Sequence, residues 1–387
     1  MKIAYKIEVK PTKKQIIKIH QTIGVSRFIY NFYIAYNKEV YEKEKRFVSG
    51  MDFSKWMNNE YFSNNQDKIW IKEVSSKAVK QAVMNGDKAF KKFFDGKAGF
   101  PKFKKKRNQD VKAYFPKNNK TDWTIERHRV KVPTLGWIRL KEFGYIPVNS
   151  IVKSGTVSQK ADRYYVSILV EENVKINNNP YSKGIGVDLG LKDFAVCSNG
   201  MTKKNINKTS KVKKLEKKLK HEQRKLSRKY ESYKLKNKKM EGEVTSQNIQ
   251  KQIVKVQKLH QKLTNTRTDY INKTVKELVK QKPSFITIED LNVRGMMKNR
   301  HSAKAVAQQK FYEFRIKLIL KAIENGIEIR IVDRFYPSSK TCSCCGAYKK
   351  DLKLSDRVYK CDNCKTEIDR DLNASINLAN ANEYKIA

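Results

Sequence analysis

Two pairs of cysteines, set close together near the end of the chain, limit what it can fold into more than anything else in the sequence. They lie in 338–377, SSKTCSCCGAYKKDLKLSDRVYKCDNCKTEIDRDLNASIN. Cys342 with Cys345 and Cys361 with Cys364 each leave a two-residue gap, and fifteen residues separate the pairs. Two such knuckles close a tetrahedron of thiolates around zinc, with Zn–S about 2.3 Å. Cys344 is a further thiol inside the first knuckle, but the two-residue gap favours Cys345. Cys197 stands alone and reads as a small core residue. Four of the six cysteines in one metal pattern fit a reducing compartment rather than a disulfide framework.

Asp369 and Asp371 flank Arg370 just past the second knuckle. An acid there can cap the helix that begins at about Leu372, or face a metal ion with carboxylates from elsewhere. Local spacing leaves both readings open.

Charge narrows the partner. The 387 residues include 84 Lys and Arg against 39 Asp and Glu, a net charge of +45. Solubility needs far less, so a polyanion is expected, nucleic acid first. A membrane is the rival, yet the chain has no apolar run long enough to span one and no N-terminal signal pattern. With 39% hydrophobic residues the chain can bury a real core.

Along the chain, Lys2–Val9 alternates as a strand and Pro11 ends it. Thr12 caps a helix from Lys13 to about Ile23, and a second helix runs from Val25 to about Arg46, with Arg27 among its surface cations. Ser75–Phe94 is helical. GFPKFKKKR (99–107) then sets Phe100 and Phe103 among Lys102, Lys104, Lys105, Lys106 and Arg107, a composition suited to stacking and phosphate contact. Val111–Val170 is strand-rich, and the first strand is expected to join it across the helical insertion. Asn173–Pro180 reads as a linker. GIGVDLGLKDFAVCS (184–198) is a β-hairpin carrying Asp188. Lys211–Lys239 and Ser246–Lys280 form a basic helical hairpin. SFITIEDL (284–291) is a strand ending near Glu289, His301–Asn325 a helix, and Ile327–Val332 a strand.

Asp188, Glu289 and Asp371 therefore fall on a first strand, a later strand end and the last helix, the order of an RNase H-like fold. Carboxylates gathered this way hold two divalent ions about 3.5–4 Å apart, and oxygen ligands suit Mg²⁺.

The motifs GIGVDLG (184–190), ITIEDL (286–291), SSKTCSCCG (338–346) and DRDLNASINL (369–378) resemble those of TnpB, the transposon-encoded RNA-guided endonucleases related to type V CRISPR effectors. KPTKKQ (10–15), GVSRFIYNF (24–32) and PKFKKK (101–106) extend the likeness over nearly the whole chain. The resemblance implies an α+β multidomain fold: a β-barrel wedge domain (1–10 and 99–180) with an inserted helical recognition lobe (11–98). It further implies a RuvC-like nuclease domain (181–337 and 367–387) with an inserted zinc ribbon (338–366) that binds target nucleic acid. Asp188, Glu289 and Asp371 match the catalytic triad, and Cys342, Cys345, Cys361 and Cys364 the zinc ligands. Asp369 reads as structural. Implied partners are a guide RNA from the transposon end and double-stranded DNA bearing a short adjacent motif. The element's own transposase is a functional associate, and the location is a prokaryotic cytoplasm, at the nucleoid. The motif ends NASINL where the family carries two alanines, and the tail of some members is short or missing. Rival readings are a nuclease-inactive RNA-guided repressor, a DNA transposase joining strands by transesterification without RNA, a transposase-associated nucleic-acid-binding protein, and a non-enzymatic zinc-ribbon RNA binder.

Overall fold

Alternation from Lys2 onward becomes β1 (Lys2–Lys10), with Ile7 and Val9 fully buried. The computed structural model describes residues 2–105, 112–117, 122–148, 150–172, 183–238, 246–353 and 355–387. It divides into two units, Met1–Asn173 and Val174–Ala387. The linker expected at Asn173–Pro180 lies outside the described residues.

In the first unit β1 leads into α1 (Lys13–Glu44), capped by Thr12, whose hydroxyl accepts from the Gln15 backbone N–H. One helix stands where two were expected. Gly24 fails to break it because a helical glycine costs only about 1 kcal/mol, while Val25, Ile29, Tyr33 and Ile34 continue a buried stripe beyond it. Next come α2 (Gly50–Trp56), a π-helical turn, and α3 (Phe62–Asn64); α4 (Ser76–Phe94) then packs beside α1. These helices share an aromatic-rich core around Tyr33, Phe53, Phe62 and Phe90.

The chain then lays down β2 (Lys112–Pro116), β3 (Thr124–Ile125), β4 (Arg129–Val132), β5 (Gly136–Leu140), β6 (Ile151–Lys160) and β7 (Arg163–Glu171). They form one antiparallel sheet in the order β2-β6-β7-β1-β5-β4-β3. β1 is thus an interior strand, paired with β7 from Lys2 to Val9. The sheet curls. Trp123, next to the β3 edge, lies on Gly155 of β6 so closely that a Cβ at Gly155 would sit 2.1 Å from its ring. The two ends of the sheet therefore share one core.

The second unit opens with a hairpin of β8 (Ile185–Leu189) and β9 (Asp193–Cys197), followed by β10 (Thr202–Lys204). The basic hairpin is α5 (Ser210–Lys238) and α6 (Gln247–Lys280). After β11 (Phe285–Glu289) come α7 (Val293–Met296), α8 (Ala303–Gln309) and α9 (Phe311–Glu324), then β12 (Glu328–Val332). The single helix expected over His301–Asn325 is broken at Lys310, whose φ is 57°. Its Nζ donates to Thr268 Oγ1 at 2.9 Å and Glu313 Oε2 at 2.6 Å. Phe311 and Phe314 are drawn into the sheet core while Gln309 donates to the Gly190 carbonyl. These ties outweigh a straight helix.

A ribbon of β13 (Val358–Lys360) and β14 (Glu367–Asp369) leads to α10 (Arg370–Ala379) and β15 (Lys385–Ile386). The main sheet runs β10-β9-β8-β11-β12-β15, with β8, β11 and β12 mutually parallel. Its apolar face, Ile185, Val187, Ile286, Ile288 and Ile329, packs on α6 and α9. Its other face takes α10. Among the described residues no helix is long and apolar enough to cross a membrane.

Candidate active site

Strand register brings the first two acids side by side. Val187 of β8 lies opposite Ile288 of β11, so the next residues, Asp188 and Glu289, are neighbours at the carboxyl ends of parallel strands. Val187 and Ile288 face α6 and α9, so Asp188 and Glu289 face the other side, with Gly186 and Thr287. That side carries α10, which approaches so closely that a Cβ at Gly186 would lie 2.0 Å from the Ser375 carbonyl oxygen. Asp371 lies one turn before Ser375 and completes the corner.

The electrostatics are those of crowded carboxylates. Desolvation first, then the charges of Glu289 and Asp371, push the Asp188 carboxyl up to about 8, against the pull of Arg370. Burial also raises Glu289, although Ser338 Oγ donates to its Oε1 at 2.5 Å. Arg370 Nη2 donates to Asp371 Oδ1 at 2.9 Å. The neighbouring acids have other tasks. Asp369 caps α10, accepting from the backbone N–H groups of Asp371 and Leu372 at 2.9 and 3.1 Å. Asp290 is held by Arg315 and Arg334 at 2.5 and 3.1 Å, which lowers its pKa. Of the two readings of the Asp-Arg-Asp stretch, capping belongs to Asp369, while the charge of Asp371 is felt at Asp188.

The thiols of Cys342, Cys345, Cys361 and Cys364 lie within 4.8 Å of one another. Cys342–Cys364 and Cys345–Cys361 are each 3.6 Å apart. Disulfide sulfurs would be about 2.05 Å apart, whereas a zinc tetrahedron has an edge of roughly 3.8 Å. Hydrogen bonds from the Thr366 hydroxyl and backbone N–H draw Cys364 down to about 6, and the Ala347 backbone N–H lowers Cys345. Burial pushes Cys342 up to about 11. The four fit a structural zinc ion. Cys344 is exposed and outside the cluster. Cys197 is buried in the sheet core, its thiol pushed up to about 12.

The expected nucleic-acid contacts scatter. Arg27 is half-buried on α1, while Lys102 and Lys105 are exposed. Lys104 is packed into the helical lobe: its backbone exchanges hydrogen bonds with Asn31, and its amine lies 3.6 Å from the centre of the Tyr30 ring. Lys106 and Arg107 lie outside the described residues. Two features had not been expected. A cleft of about 690 Å³ between α2 and α4 is lined in part by Lys55, Lys72, Lys77 and Lys80. Ser338, Asn373 and Asn377 tie α10 and β11 to the ribbon; their one sequence signal is a pair of asparagines at helical i, i+4 spacing.

Residues 167–300 match the IS605 OrfB family described as "Probable transposase", and residues 1–46 match the helix-turn-helix domain of the same group. The latter segment folds here as β1 and the unbroken α1. Residues 311–378 match the TNB domain of Cas12f1-like proteins. The chain is 29% identical to "Putative RNA-guided DNA endonuclease InsQ" of Escherichia coli (strain K12), over 99% of this chain and 93% of that protein. It is 28% identical to "Putative RNA-guided DNA endonuclease" of Streptomyces pristinaespiralis, over 98% and 89%. A cryo-EM structure of a Cas12f1–sgRNA–target DNA complex aligns over 98% of this chain and 99% of that one, at 16% identity and a TM-score of 0.37. The sequence matches and the four-cysteine ribbon define a protein of transposon-derived type with a TNB domain. Over nearly its whole length the chain is similar to TnpB-type proteins named as RNA-guided DNA endonucleases.

Proposed function

We propose that this chain is an RNA-guided DNA endonuclease that makes double-strand breaks by metal-assisted phosphodiester hydrolysis. One observation carries the reading: strand register and the close approach of α10 bring carboxylates from β8, β11 and α10 to one corner, where burial first, and then the charges of Glu289 and Asp371, keep Asp188 from ionising. Such crowding costs stability and is relieved by a cation. Asp188, Glu289 and Asp371 would hold Mg²⁺, which their hard oxygen donors suit. Held there, the ions would activate water and offset charge on the leaving oxygen. Ser338 fixes one oxygen of Glu289, and Arg370 orients Asp371. The relatives' names support a guide RNA and DNA as partners. In this reading residues 1–180, as wedge and recognition lobe, grip guide RNA from the transposon end and read a short DNA motif beside the target. The RuvC-like parts (181–337 and 367–387) cut, and the ribbon 338–366 touches the target. The lysine-lined cleft between α2 and α4 suits a phosphate backbone.

The test is to purify the protein with co-expressed RNA, sequence that RNA, and add Mg²⁺ with matched DNA. Guide-dependent double-strand cutting is expected, and Asp188→Ala should reduce it by a factor on the order of 10³ while the RNA still co-purifies. Undiminished cutting by the variant would remove Asp188 from the site. A discrete RNA without any cutting would favour the repressor. The "Probable transposase" description of the matched family keeps one other reading in view. Strand joining in the absence of RNA would support it against ours.

A further inference from the structure

Three buried polar residues link the thiol cluster to the carboxylate corner. Asn373 is fully buried on α10, two residues past Asp371. Its Nδ2 donates to the Thr341 carbonyl at 2.7 Å, and its Oδ1 accepts from the Ser343 N–H at 2.9 Å. Thr341 and Ser343 bracket Cys342. Asn377, one turn on, donates to the carbonyls of Thr341 and Ser338 at 2.6 and 2.7 Å. Ser338, also buried, gives its hydroxyl to Glu289. The first knuckle thus has a thiol cluster on one side, and on the other the helix of Asp371 and the side chain of Glu289.

Apolar side chains would pack a helix against a loop at lower cost. Buried amides are favourable only while every bond is made, and a group left without a partner is costly. In return they fix direction, so the knuckle and the corner have one mutual placement. We infer that Ser338, Asn373 and Asn377 are positioning residues through which the zinc-closed knuckle sets the carboxylate corner. The ribbon is then part of the nuclease centre as well as a surface for nucleic acid. The inference rests on the nuclease reading above.

The test uses the full chain with its co-purified RNA and Mn²⁺ as probe, titrated by the free-ion signal in electron paramagnetic resonance. Zinc content and thermal unfolding are measured on the same samples, and guided cutting is resolved into kcat and KM. Ser338→Ala should keep its zinc and its unfolding temperature, bind Mn²⁺ about 10–100-fold more weakly, and lose kcat with KM for DNA unchanged. Ser338→Thr keeps the hydroxyl and should restore Mn²⁺ affinity. Zinc removal from the native protein should weaken Mn²⁺ binding as well. In an Asn373→Ala background zinc removal should weaken it no further. Should Asn373→Ala not fold, the Ser338 pair and zinc removal decide. Unaltered Mn²⁺ affinity and kcat in Ser338→Ala, or Mn²⁺ binding indifferent to zinc, overturns the inference. Asp188→Ala separates the two failures. If it abolishes Mn²⁺ binding and cutting while Ser338→Ala changes neither, only the coupling is wrong. If it too changes neither, the nuclease reading fails.

Discussion

Asp188 is held with its charge opposed by burial and by two neighbouring acids. That arrangement has a cost that can be measured in the metal-free protein. The ordinary carboxyl value is 3.8 and the folded value about 8. Between these, the unfolded chain has lost a proton that the fold retains, so stability falls as pH rises through that window. Asp188→Asn cannot ionise. In chelator at about pH 8 it should unfold at a higher temperature than the native protein, and its decline with pH should be flatter. Added Mg²⁺ should raise the native melting temperature and leave that of the variant nearly unmoved. Equal melting curves in chelator would show that no repulsion is stored there. The acids and thiols were legible in the sequence because each lies in a short run whose spacing states its chemistry. Ser338, Asn373 and Asn377 were not. An asparagine in a helix looks like surface until one knows which carbonyls lie opposite it. Local spacing likewise left Asp369 and Asp371 alike; the resemblance set Asp369 apart as structural, and its cap geometry agrees.

Helices and strands were legible where they are long and periodic, and misread where a single residue seemed to decide. Gly24 looked like a break in α1 and Lys310 like ordinary helix. In both cases packing overrides the local signal, at Gly24 through buried neighbours and at Lys310 through Thr268 and Glu313. The short pieces between Gly50 and Glu73, along with β2, β3, β10 and β15, carry too few residues for a pattern to emerge. Two glycines make opposite predictions. Nothing lies within 4 Å of a Cβ at Gly24, so Gly24→Ala should stabilise the protein by about 0.5–1 kcal/mol, read from denaturant unfolding. Gly186→Ala drives a methyl group into the backbone of α10. It should lower stability and abolish cutting together, because the helix that carries Asp371 must move. Stability lost at Gly24, or full activity kept at Gly186, would contradict the packing described.

A net charge of +45 is a property of the whole molecule, and its consequence is ionic. Affinity for duplex DNA should fall linearly on a log–log plot against salt, with a slope near −0.9 for each phosphate contacted. A filter-binding series across ionic strength would measure it, and a flat line would contradict a polyanion partner. The composition calls for such a partner without saying where it would bind, since cations spread over the chain carry no address until the fold groups them. One further consequence concerns time. β1 is made well before β7, its partner along nearly its whole length, which ends at Glu171. At a synthesis rate of about 5–20 residues per second, the strand waits roughly 8–30 s before it can pair fully with β7. The helices of 13–94 emerge in that interval with a core of their own. On the ribosome the inserted lobe can therefore fold before the sheet that encloses it in sequence.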